Sequence, residues 1–179
     1  MLDASRAVLA LFLRHGHTDF SVRELAEHTG LAERTFYRYF PRKEDAVRPY
    51  LSAGLAHLLA TVAAQPADRP LRDVLCDAHA DLLDATDDES TRTFLAVMAS
   101  TERLRAVWLA LVEEAERGLA ELVATRLDLG VDATRARLAG AVVVAAGRLA
   151  LDAASRADGR RPSQVFAECL DLLGPELLR

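Results

Sequence analysis

The chain has 179 residues, of which 51% are hydrophobic, and its 22 basic and 27 acidic side chains leave a formal net charge of −5. That length suits one ordinary domain or a small domain joined to a larger one, and the apolar share supports a packed core. The acidic balance excludes binding to nucleic acid through bulk charge, so any such contact has to depend on placement.

Charge is unevenly placed. Residues 1–48 carry eight basic side chains (Arg6, Arg14, Arg23, Arg34, Arg38, Arg42, Lys43, Arg48) against seven acids, so the acidic excess belongs to the rest of the chain. Cys76 and Cys169 are far apart in helical patterns. They read as buried thiols in a reduced cytoplasm, because a free cysteine packs as a small hydrophobe; a redox pair is the alternative. Asp3 and Arg6 interrupt the start as a signal peptide would not allow. The longest apolar run, Leu138 to Leu151, is broken by Arg148 and is too short for a bilayer. These features predict a cytoplasmic protein with no membrane partner.

In chain order, residues 3–15 form a first helix with Val8, Leu9, Phe12 and Leu13 on one face. Ser21 and Glu24 have capping-box spacing, so a second helix starts at Val22, with Val22, Leu25 and Ala26 as its buried stripe. Gly30 sits just past its end, where a left-handed backbone suits glycine. A third helix, from about Ala32 to Phe40, stops before Pro41. Phe36 and Phe40 are four apart and face inward, while Glu33, Arg34, Tyr37 and Arg38 face out. A short helix with a basic, aromatic outer face, held by a helix-turn-helix, fits the major groove of DNA.

One long helix is then expected from Lys43 to about Ala64, carrying Val47, Leu51, Leu55, Leu58 and Val62. Residues 65–70 break it, and Pro70 opens a helix to about Ala85. Thr86–Ser90 reads as an acidic loop and Thr91–Ala99 as a short helix. Ser100 or Thr101 caps a helix to about Leu127, with Leu104, Val107, Trp108 and Leu111 on a stripe directed at the C-terminal core. Asp132 caps a helix over roughly 133–156, whose middle is apolar nearly all round and predicts a partner chain. Its small residues Ala139, Gly140, Val143, Ala146 and Gly147 permit close helix approach, and with Phe166, Leu170 and Leu173 of the last helix they form the expected dimer interface. Gly174 and Pro175 end that last helix. The fold class is all-α with about nine helices.

Thr35-Phe36-Tyr37-Arg38-Tyr39-Phe40-Pro41, followed by Lys43-Glu44, resembles the T-L-Y-x-H-F-x-x-K signature of TetR-type transcriptional regulators. Ala7 to Phe12, Gly16, Ser21-Val22 and Leu25-Ala26 fall where that family's first two helices need them, so the match covers roughly residues 5–50. Two positions depart: Ala32 stands where the family often has a Ser or Thr cap, and Tyr39 where it has His.

The resemblance implies an N-terminal helix-turn-helix DNA-binding domain, residues 1–46, and a larger helical effector-binding and dimerisation domain, residues 47–179. Glu33 and Arg34 then face base edges, where Arg34 suits guanine and Glu33 suits cytosine N4. Ser21, Thr35, Tyr37, Tyr39 and Lys43 match positions that meet phosphate, with Arg38 on the same outer face. Leu58, Leu83, Phe94, Met98 and Trp108 read as plain core; the resemblance makes them, with Leu111, the wall of an effector cavity. His79 and Arg103 are its polar anchors, with His57 and Arg105 as further candidates. The segment RTFYRYFPRKED also resembles a branch of the family associated with acyl-CoA-like ligands, which implies a small apolar or acyl-type effector.

The expected partners are a palindromic double-stranded operator, a second copy of the chain and that effector. Cofactors and metal are not expected, and neither is catalysis, since there is no paired Glu-x-x-His, no Gly-rich phosphate loop and no Ser/His/Asp set. The expected function is ligand-responsive repression. The alternative is a helical protein-binding adaptor, or an activator without a small-molecule ligand.

Overall fold

A computed structural model describes residues 1–83, 88–130, 133–156, 160–173 and 177–178. Nine α-helices and no strand occur among the described residues: α1 Leu2–His15, α2 Val22–Thr29, α3 Glu33–Tyr39, α4 Arg48–Ala63, α5 Leu71–Leu83, α6 Asp88–Ala99, α7 Glu102–Arg126, α8 Thr134–Ser155 and α9 Pro162–Leu172. The all-helical class expected from periodicity is the class observed. Asp132, Gly174 and Pro175, expected to bound α8 and α9, lie outside the described residues.

The helix expected from Lys43 is two pieces, a 3-10 segment Lys43–Val47 and then α4. Pro49 explains the break. It has no N–H to return to the carbonyl of Asp45, and its ring crowds that carbonyl in a continuous helix. The Asp45 carbonyl takes the N–H of Arg48 instead, a tighter turn. Helix α6 starts earlier than expected, at Asp88. Thr101 is the cap of α7, its Oγ1 accepting from the Leu104 N–H at 3.1 Å. The turn between α4 and α5 is held from α7, where Arg126 donates to the carbonyls of Gln65, Pro66 and Arg69 at 2.7–3.0 Å.

The chain forms two compact units, Met1–Gly54 with Arg92–Leu111, and Leu55–Thr91 with Val112–Arg179. The first is built on Val8, Phe12, Leu25, Phe36, Phe40 and Val47, with Val97, Met98, Leu104 and Val107 completing the same core. The stripe of α7 expected to face the C-terminal core therefore lies, at Leu104, Val107 and Trp108, with the helix-turn-helix. Period-3.6 spacing shows that a stripe is buried but not which neighbour buries it.

The second unit is built on Val62, Val74, Leu75, Leu119, Val123, Ala139, Val143, Phe166 and Leu170. The small-residue stripe of α8 faces this unit's own helices. Ala139, Val143 and Ala146, with Phe166 and Leu170 of α9, are buried within the single chain. A Cβ on Gly140 would meet the Glu116 carbonyl oxygen at 2.5 Å and the Ala120 nitrogen at 2.8 Å, so α7 and α8 touch through this glycine. Gly147 lies beside His79, and Leu173 is half-buried. On α8 and α9 the large apolar side chains left exposed are Leu138, Leu149 and Leu172. These, rather than the inner stripe, have surface to offer a second chain.

Candidate nucleic-acid interface

The helix-turn-helix is fixed at each corner by local chemistry. At the start of α2 the Ser21 Oγ accepts from the Glu24 N–H at 3.2 Å, while the Ser21 N–H donates to Glu24 Oε2 at 2.7 Å. The reciprocal capping box is thus formed. The Ser21 N–H and the Ser21 hydroxyl, which also donates to Glu24 Oε2 at 2.8 Å, hold the Glu24 carboxyl below the ordinary carboxylate range. At the other end, Gly30 takes φ 69°, its N–H bonds the Glu27 carbonyl at 3.2 Å, and the Leu31 N–H bonds the Ala26 carbonyl at 2.9 Å. This is a Schellman turn, and only a residue at ease with positive φ closes it cheaply. It redirects the chain into α3.

Helix α3 has seven residues, Glu33–Tyr39. Phe36 and Phe40 are its anchors, both buried and meeting edge to face at 5.0 Å. Their burial fixes the rotation of the helix and decides which side chains are free. Glu33, Arg34, Tyr37, Arg38 and Tyr39 are exposed and Thr35 is half-buried. The Arg38 guanidinium carbon lies 5.2 Å from the Tyr39 ring centroid, a cation–π approach that stiffens this edge. The cap position holds Ala32, with backbone in the extended region and no side-chain bond. Arg34 stands on the first turn, whose residues reach base edges when such a helix enters a major groove.

Lys43, just past the end of α3, is half-buried. Its Nζ donates to the carbonyls of Thr18 at 2.9 Å and Phe20 at 3.0 Å, immediately before the Ser21 cap. Sequence alone marked Lys43 as a phosphate contact and carried no sign of these bonds, which span more than twenty residues. In the same loop, His17 stacks on Phe20 at 5.0 Å and His15 meets it edge-on at 5.3 Å. Arg103 at the start of α7 pairs with Asp45 at 2.8 Å, tying α7 to the 3-10 segment.

The residues read as an effector cavity fall into both units. Phe94, Met98, Arg103, Trp108 and Leu111 belong to the first, Leu58 and His79 to the second. Phe94 meets Trp108 edge-on at 5.5 Å and Met98 is buried in the same core. The side chain of Leu83 lies outside the described residues. His79 is buried and stacks on Phe166 at 4.0 Å. Its Nδ1 is 2.8 Å from the Leu75 carbonyl, so Nδ1 carries the proton and Nε2 keeps a lone pair. Burial pushes its pKa down to about 4. No group of three or more His, Cys, Asp or Glu is placed to hold a metal ion, and no helix is long and apolar enough to cross a membrane, among the described residues.

Two family models match the chain. Residues 4–48 match bacterial regulatory proteins of the tetR family, and residues 69–178 match the MftR C-terminal domain. The HTH-type transcriptional regulator TcmR of Streptomyces glaucescens is 32% identical over 184 residues, covering 96% of this chain and 81% of that protein. MftR of Mycobacterium tuberculosis, named for regulation of mycofactocin biosynthesis, is 32% identical over 126 residues, covering 68% of this chain and 63% of that protein. Among solved structures, Thermus thermophilus FadR, a TetR-family repressor in complex with lauroyl-CoA, superposes with a TM-score of 0.70 at 24% identity, over 96% of this chain and 91% of that one. With its capping box, Schellman turn and exposed α3 face in place, this chain belongs to the TetR family of bacterial transcriptional regulators.

Proposed function

We propose that the chain is a homodimeric repressor. In this reading a pair of α3 helices reads a palindromic operator, and a small acyl-type effector releases it. The DNA-binding part is residues 1–46, and residues 47–179 bind the effector and hold the dimer. The observation that carries the reading is the outer face of α3, where Glu33, Arg34, Tyr37 and Arg38 stand exposed over buried Phe36 and Phe40. In this reading Arg34 and Glu33 contact base edges, while Ser21, Thr35, Tyr37, Tyr39 and Lys43 meet the phosphate backbone. The exposed leucines of α8 and α9 supply the apolar surface a second chain would cover, and two-fold pairing matches a palindromic site.

Each unit offers one polar group to an effector, Arg103 in the first and His79 in the second. A neutral His79 with an open Nε2 accepts a hydrogen bond, which suits a hydroxyl or amide N–H better than a carboxylate. Arg103 suits an anion, and an anion there would compete with Asp45 and loosen the tie between α7 and the 3-10 segment. An acyl-type effector is supported by FadR in complex with lauroyl-CoA, a neighbour of the same fold. An effector acts as a switch only through differential affinity for two arrangements; about 1.4 kcal/mol of it weakens operator binding tenfold.

The test is a binding selection of genomic fragments with the full chain, followed by sequencing. Enrichment of an inverted repeat with half-sites about one helical turn apart is expected. Fragments with no shared repeat would overturn the reading. Acyl-CoA titration of the bound complex, followed by operator release and by fluorescence of Trp108, then tests the effector. A fluorescence response with unchanged operator affinity would show that binding near Trp108 is not the switch.

A further inference from the structure

We propose that Lys43 is a positioning residue for DNA reading, whose ammonium locks the start of α2 to the exit of α3 through the carbonyls of Thr18 and Phe20. The proposal deepens the DNA-binding reading above, and its DNA measurements rest on that reading.

Three observations carry it. The first is the geometry: two charge-assisted bonds at 2.9 and 3.0 Å join residues either side of the whole helix-turn-helix. Thr18 is buried, and its carbonyl also accepts from the Phe20 N–H at 2.8 Å, so both of its lone pairs are used. The second is location. Thr18 and Phe20 lead directly into Ser21, the cap that fixes where α2 begins. Lys43 follows Phe40, Pro41 and Arg42 at the exit of α3 and opens the 3-10 segment. The third is residue choice. The chain has 22 Lys or Arg side chains, and Lys43 alone is lysine. A guanidinium spreads its donors over a planar fork, whereas an ammonium is a compact point that converges on two neighbouring carbonyls.

The clamp acts on specificity. Arg34 reads a base only if α3 is presented at a fixed angle to α2, whose first turn lies against the backbone in the proposed complex. Two of the three N–H groups of Lys43 are spent on carbonyls, so one remains for a phosphate. Positioning and phosphate contact are therefore compatible, and measurement separates them.

Because the lysine is single, amine chemistry reports on it directly in the native full chain. Acetylation by an N-hydroxysuccinimide ester, followed by mass spectrometry with the N-terminal amine as internal reference, is expected to be at least tenfold slower at Lys43 in the native than in the denatured chain. Equal rates would overturn the clamp. This measurement needs no variant and stands if a variant fails to fold. The second measurement compares the selected operator with a random duplex. For Lys43→Met, which keeps the stem and loses the donors, the specific-to-random affinity ratio is expected to fall tenfold or more. Lys43→Arg should recover part of the ratio. Equal weakening on both duplexes, with the slope reduced by about 0.9 for each phosphate no longer neutralised, would make Lys43 an ordinary phosphate ligand and overturn the proposal. If the wild-type chain shows no sequence preference, the DNA-reading proposal falls, and the acetylation rates still decide the clamp.

Discussion

Burial holds His79 neutral, with its pKa pushed down from 6.5 to about 4, against the opposing pull of the Leu75 carbonyl. The folded-state pKa lies below the unfolded one, so this stabilisation is complete above the unfolded value. It is lost as pH falls from about 6.5 toward 4, when the unfolded chain binds a proton that the folded chain refuses. The shift corresponds to about 3 kcal/mol when fully expressed. Denaturation at pH 7.5 and pH 4.5 should show a large part of that loss in the native chain and much less in His79→Gln; equal losses would assign the effect elsewhere. A second single-residue effect was legible in the sequence. Ala32 has the extended backbone of a helix cap and no side chain to bond the first turn. Ala32→Ser should stabilise the first unit by roughly 0.5–2 kcal/mol, read from the denaturation midpoint. The bonds of Lys43 and Arg103 were not legible, since each joins residues more than twenty positions apart and no local pattern announces them.

Helix existence followed from periodicity and caps at nearly every element, since those are local causes. Ser21 with Glu24 and Gly30 each gave a correct corner because one capping box and one left-handed residue suffice. The misread element, the long helix from Lys43, also had a local cause in Pro49, whose missing N–H forces the 3-10 turn. What periodicity could not supply is the neighbour. The small stripe on α8 was read as a surface for another chain, and its Gly140 lies against α7 of the same chain. Gly140→Ala places a Cβ 2.5 Å from a backbone oxygen that cannot rotate away. It should destabilise the chain by about 1–3 kcal/mol, the usual range for overpacking, with a matching shift in urea midpoint. A neutral result would mean that α7 and α8 do not approach through this glycine.

Reading both half-sites of a palindrome takes two chains. Leu149 is 53% exposed on α8, whereas Val143 is fully buried. Asp at these two positions should therefore act differently. Leu149→Asp places charge on the proposed interface and should give folded monomers by sedimentation with native helical circular dichroism. Val143→Asp buries an unpaired charge within one chain and should lose that helical signal. A Leu149→Asp protein that remains dimeric would place the interface on another surface.

The central claim is that α3 reads sequence through the first turn of its outer face. Its most direct measurement is the affinity of wild type and Arg34→Ala for the selected operator and for a random duplex, at one salt concentration. Arg34→Ala should lose about 1–3 kcal/mol per half-site on the operator, relax the preference at one base position and change little on random duplex. Equal loss on the two duplexes would contradict it and reduce Arg34 to a phosphate ligand.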